Sequence, residues 1–193
     1  MNDIDNMNEP QNLAEQAAFE TVWKLMRELD IASIEVAFNG EGDSGSITDI
    51  NASPPGAEAV WDANDPDGSS KRLTAWSVRV QAANQAMNET RTGITLDYAE
   101  NVFWGPDGPP RAHTEGFTLR QLVEELTGPR LDALPHDWVN NDGGYGTVTW
   151  SPELYGAEDG TPRPGIEIEL SIRVVNTEEY SFEYDRFGNE TEE

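Results

Sequence analysis

The sequence predicts an α+β domain: a mainly antiparallel sheet with two helices packed on one face and a loop-rich middle insertion. Three observations carry that expectation. Near the C-terminus Ile166, Ile168, Leu170, Ile172 and Val174 alternate with Glu167, Glu169, Ser171 and Arg173, the period-two pattern of a strand buried on one face. Upstream, Thr118-Leu119-Arg120-Gln121 has the form of a capping box, in which the threonine hydroxyl and the glutamine side chain satisfy free helix N–H groups reciprocally. Between the two, Asn140-Asn141-Asp142-Gly143-Gly144 runs straight into Tyr145-Gly146-Thr147-Val148-Thr149-Trp150. Asn, Asp and Gly tolerate positive φ, so this reads as a tight turn feeding a strand.

In chain order, residues 1–11 are expected to be a flexible acidic N-terminus, 12–186 a single domain and 187–193 an acidic tail, with an insertion over about 53–116. A first helix is predicted from Asn12, because Phe19, Val22, Trp23, Met26 and Leu29 fall on one helical stripe. Ile34 to Phe38 alternates as a half-buried strand, Asn39 to Gly45 turns, and Ser46 to Ile50 returns beside it. Ser53 to Ser70, rich in Pro, Gly, Asp and Ser, is expected to be an exposed loop. Trp76, Val78 and Val80, and later Ile94, Leu96 and Tyr98, alternate as further strands. In the second helix Leu119, Leu122, Val123 and Leu126 form the buried stripe, Phe117 and Leu122 a hydrophobic staple, and Gly128-Pro129 the stop. After the Ile-rich strand a turn near Asn176 leads to a last strand, with Tyr180, Phe182 and Tyr184 on one face and Glu179, Ser181, Glu183 and Asp185 on the other.

Composition narrows the function classes. With 37 acidic against 12 basic residues the net charge is −25, so the chain is expected to bind neither nucleic acid directly nor an anionic membrane. The absence of cysteine excludes disulfides, thiolate metal sites and a cysteine nucleophile. The acidic, polar start does not read as a signal peptide, and no apolar run approaches the roughly 18 residues a membrane helix needs. A cytoplasmic location is the expectation from these features.

FNGEGDSGSITDI (Phe38 to Ile50) and DWVNNDGGYGTVTW (Asp137 to Trp150) are specific as a pair. With a capped helix before the second motif and an Ile-rich hairpin after it, they resemble a bacterial and phage family known only as a domain of unknown function. The resemblance covers roughly Ile31 to Asn51 and Phe117 to Asp185. It marks Gly42, Asp43, Ser44, Gly45, Trp138, Asn140, Asn141, Asp142, Gly143, Tyr145 and Gly146, and implies a shared fold core without an activity or a cofactor.

Read for chemistry, these loops support little. Gly42-Asp43-Ser44-Gly45 matches the tetrapeptide around a serine-protease nucleophile, but a triad is defined by geometry and only His113 and His136 could serve as the base. Asn39, Glu41 and Asp43 alternate like the first oxygen ligands of a calcium loop, yet Ser44 stands where that loop needs glycine and Ile50 where it needs glutamate. Glu41, Asp43 and Asp142 remain candidate ligands for a divalent cation. No cofactor is otherwise expected and no catalytic residue is selected. A candidate loop site comprises Asp43, Ser44, Trp138, Asn140, Asn141, Asp142 and Tyr145. The two motifs are expected to meet at one end of the sheet, with Trp138 or Tyr145 between them and Arg173 or Arg186 available to the carboxylates.

The second candidate is an acidic face formed by Glu35, Glu167, Glu169, Glu179, Glu183 and Asp185. Like charges across paired strands are unfavourable by a few tenths to about 1 kcal/mol each, so such a face calls for a reason. Protection of the sheet against aggregation is one, and a basic partner is another. The expected function is therefore a non-enzymatic interaction protein of a phage or mobile element, binding a basic protein surface as a nucleic-acid (DNA) mimic. The alternative is a metal-dependent or other hydrolase built on the Asp43 and Asp142 loops.

Overall fold

The structure, a computed structural model, describes residues 13–57, 65–95, 116–134, 138–141, 143–155, 161–173 and 178–184; at 13, 42–43, 66, 140–141, 155 and 178–184 it describes the backbone alone. The proposed flexible N-terminus, the acidic tail, the expected turn near Asn176, Val174, Leu96 and Tyr98 lie outside the described residues.

The first helix, α1 (Leu13–Glu28), buries Phe19, Val22, Trp23 and Met26 on one stripe, as the spacing requires. It ends where Asp30 takes a left-handed conformation (φ 54°) and the Ile31 N–H closes back on Met26 O at 2.8 Å, a six-to-one terminating bond usually built with glycine.

The next segment, β1 (Ser33–Ser53), doubles back on itself: the Ala32 N–H donates to Ser53 O at 2.8 Å and the Thr48 hydroxyl to Ala37 O at 3.2 Å. The reversal falls in the glycine-rich motif, as its composition predicts. The outgoing arm buries Ile34, Val36 and Phe38, and the returning arm buries Ile50 and Ala52.

The middle of the chain departs from expectation. In place of an exposed loop to Ser70 and a strand at Trp76, residues Pro66–Glu89 form one 24-residue helix, α2. Asp65 is its N-cap, accepting from the Gly68 N–H at 3.0 Å, and Pro66 fills a first-turn position whose N–H would in any case lack an intrahelical partner. The short window Trp76-Val78-Val80 satisfies a period of two, but Ser69, Trp76, Val80, Ala83 and Met87 satisfy a helical period over five turns. The longer pattern prevails. Asn84 ties the helix to the returning arm of β1, donating to Ala52 O at 3.0 Å and accepting from Ala52 N–H at 3.0 Å. Ile94 is not in a strand either: Arg91 makes a single bridge to Thr118, and Ile94 O accepts from the Phe117 N–H at 2.9 Å. Among the described residues there are three helices, not two.

In α3 (Leu119–Asp132) the capping box is complete: Gln121 N–H to Thr118 Oγ1 at 3.3 Å, Thr118 N–H to Gln121 Oε1 at 3.0 Å. Leu119, Leu122, Val123, Leu126 and Leu131 are buried. Gly128-Pro129 does not stop this helix. It continues for a further turn, with the Ala133 N–H reaching Pro129 O at 3.1 Å and the Arg130 guanidinium donating to Leu126 O at 2.7 Å. Proline removes only one N–H, so the turn beyond it can still close.

Two-residue β2 (Asn140–Asn141) is followed by β3 (Gly144–Tyr155), β4 (Pro162–Ile172) and β5 (Glu178–Tyr184). All pairings are antiparallel, in the order β2-β1-β3-β4-β5. Val148 and Trp150 of β3 and Ile166, Ile168 and Leu170 of β4 are buried. Trp150 is the centre of this layer. Phe19 stacks on it at 5.5 Å, Trp23 tilts against it at 5.2 Å, and its indole N–H donates to Thr127 Oγ1 at 3.1 Å. The Thr127 hydroxyl in turn donates to Val123 O at 2.7 Å, so a buried polar pair is satisfied on both sides. Aromatic pairs of this kind add about 0.5–1.5 kcal/mol beyond the area they bury.

Candidate functional site

The two glycine-rich motifs lie side by side. β2 pairs with the tip of β1, Gly42 opposite Asn141 and Asp43 opposite Asn140. Trp138, just before β2, is buried against the hairpin, with its ring edge-on to Phe38 at 5.1 Å and its indole N–H donating to Leu131 O at 2.9 Å. A Cβ at Gly40 would strike the Trp138 carbonyl, and one at Gly45 would enter the Trp138 ring, so the glycines of the first motif make room for the tryptophan of the second. Gly143 takes φ 73° and packs against Gly40 O, a position no side chain could share. The Trp138 carbonyl accepts from the Gly144 N–H at 2.7 Å.

Arg173, just past β4, closes this arrangement. Its guanidinium donates to Gly40 O at 2.6 Å and to Asn39 Oδ1 at 2.5 Å, and its own N–H donates to Gly143 O at 2.9 Å. It also lies over the Tyr145 ring at 5.1 Å, and Tyr145 remains 46% exposed. One arginine thus joins the tip of β1 to the start of β3 and the end of β4, through two backbone carbonyls and the Asn39 side chain. Glu41 and Ser44 are exposed on the hairpin. The side chains of Asp43, Asn140 and Asn141, and all of His113, His136, Asp137, Asp142, Asp185 and Arg186, lie outside the described residues. Among the described residues no three His, Asp or Glu side chains gather as a metal set would.

The acidic candidates assemble by register. Glu35 pairs with Thr149, Thr149 with Glu167, and Glu167 with Glu183, so these four positions form one cross-strand row. The next row is Ala37, Thr147, Glu169 and Ser181; the next, Asn39, Tyr145, Ser171 and Glu179. Directly paired positions share a face, and this one is opposite to Trp150 and Ile168. Glu35 and Glu169 are exposed and Glu167 is half-buried. Thr147 and Thr149 were not singled out from sequence, yet they separate the carboxylates of β1 from those of β4. The Thr147 hydroxyl lies 3.4 Å from Glu169 Oε2. Their alternation about Val148 was the available signal.

Outside this face, the Asp65 carboxylate is held below its ordinary range, first by the Gly68 N–H and then by Arg72, whose guanidinium lies 3.2 Å away. It is exposed and acts as a helix cap. A cleft of about 360 Å³ opens at the far end of the sheet, among Met26, Asp30, Ile31, Pro55 and Pro152.

Residues 14–65 match the model of a family of unknown function (DUF6878). The match spans α1 and β1, including the first glycine-rich motif, and stops before the second. No curated protein and no solved structure matches the chain significantly. Among the described residues no helix is long and apolar enough to cross a membrane.

Proposed function

We propose that the protein is a non-enzymatic binding module whose carboxylate-bearing sheet face engages a basic protein surface, in the manner of a nucleic-acid mimic encoded by a phage or mobile element. The observation that carries this reading is the register Glu35–Thr149–Glu167–Glu183, with Glu169 and Glu179 in the adjoining rows. An antiparallel sheet holds such groups on a rigid plane, so their charges add toward a partner without a large loss of chain entropy on binding. Titration with a deca-arginine peptide tests it. Glu35→Gln/Glu167→Gln/Glu169→Gln is expected to weaken binding roughly tenfold, summing three modest ionic contacts. A control with the same net charge, Glu20→Gln/Glu28→Gln/Glu124→Gln, is expected to retain most of the affinity. Equal losses in the two variants would mean that only net charge acts, and the face would then have no part in recognition.

A cation-dependent hydrolase is the second reading, resting on the pairing of Asp43 with Asn140 beside the second loop. A rise in melting temperature on calcium or manganese titration would favour it; no rise removes it.

A further inference from the structure

We infer that the outer face of α2 is the docking surface for a second copy of this chain, the two helices running antiparallel. α2 carries two separate stripes. The inner one, Ser69, Trp76, Val80, Ala83 and Met87, is buried or half-buried against the body of the protein. The outer one, Lys71, Ala75, Val78, Ala82, Gln85 and Glu89, recurs at alternating intervals of four and three, and every member is exposed. That spacing is the seam of a helix pair. Val78 is 63% exposed, more than Leu73 or Tyr145, the other large exposed hydrophobics among the described residues.

Charge argues for this occupant. A chain of net charge −25 repels its own copies, and association must use a surface that is not acidic. α2 is the only described helix or strand with more basic residues (Lys71, Arg72 and Arg79) than acidic ones (Asp67 and Glu89). Arg72 is paired with Asp65 and Arg79 with Asp30, each at 3.2 Å. Lys71 has no ion pair among the described residues. Glu89 is oriented at the other end of the stripe by Gln85, whose Nε2 donates to it at 2.9 Å.

The order along the stripe is complementary to itself. About a two-fold axis at the level of Val80, Lys71 comes opposite the partner's Glu89, Ala75 opposite the partner's Gln85, and Val78 opposite the partner's Ala82. Such a contact is isologous and closes at two copies, and the alanines allow the helix axes to approach with valine between them.

Sedimentation velocity over a concentration series tests the inference. The wild type is expected at twice the 21.4 kDa chain mass, and Val78→Asp at the single mass with an unchanged circular-dichroism spectrum, since Val78 contributes nothing to the core. Lys71→Glu is expected to weaken the dimer roughly two- to five-fold per lost pair. Lys71→Glu/Glu89→Lys is expected to restore it. As the chain has no cysteine, mild oxidation of Val78→Cys/Ala82→Cys is expected to give one covalent dimer. A single chain mass at every concentration, a dimer indifferent to Val78→Asp, or no recovery in the double charge reversal would each overturn the proposal.

Discussion

α2 and α3 are both capped helices that pack against the same sheet, yet they present opposite kinds of surface. α3 is one-sided: in its 14 residues Leu119, Leu122, Val123, Leu126, Thr127 and Leu131 are buried, and its outer positions are polar. α2 is longer, at 24 residues, but among its described side chains only Ser69, Ala83 and Met87 are fully buried, and apolar residues sit on both of its faces. The difference teaches that length and capping make a helix, while one-sidedness makes it legible and ties it to the core.

The largest expected effect sets the two helices apart most clearly. Leu126→Ala removes a fully buried side chain from α3 and should cost about 2–5 kcal/mol by chemical denaturation, whereas Val78→Ala on the outer face of α2 should stay within about 0.5 kcal/mol under conditions where the chain is monomeric. Similar losses for both would erase the contrast. Thr118→Ala is next: it leaves first-turn N–H groups of α3 without partners and should cost about 1 kcal/mol. Unchanged amide exchange at Leu119 to Gln121 would show that the capping box contributes nothing. The smallest effect concerns α2. Because the Asp65 pKa is lowered in the folded state, its cap is fully present above the unfolded value of 3.8 and is lost as pH falls through the lower, folded value. Amide exchange at Gly68 should therefore accelerate in strong acid while α3, capped by an uncharged threonine, keeps its first turn.

What the sequence made legible follows the same physics. α1, α3 and the alternation in β4 were readable because each puts its apolar residues on one face. The strand misassigned at Trp76 arose from a two-sided helix, whose apolar residues fill a short window at any period. The stop expected at Pro129 failed because proline removes a single N–H, and the chain closes a further turn beyond it through the Ala133 N–H on Pro129 O. At the site, the glycines and Trp138 were visible as motifs. That Gly40 and Gly45 leave room for the Trp138 ring is a relation between residues about a hundred positions apart, and local pattern carries no trace of it. Thr147 and Thr149 were overlooked because an outward threonine is ordinary in a strand; only the register places them between carboxylates.

The clamp on the β1 tip also sets an order of events. The hairpin of β1 can form from neighbouring residues soon after they are synthesised, but Gly40 O waits for a guanidinium 133 positions later in the chain. Closing so long a loop is entropically unfavourable and must follow the pairing of β3 with β4. The tip is therefore expected to lock late, and substitutions at Arg173 should speed unfolding while leaving the folding rate nearly unchanged. On that outcome the motif that looks most like an active site would be, in kinetic terms, the latch of the sheet.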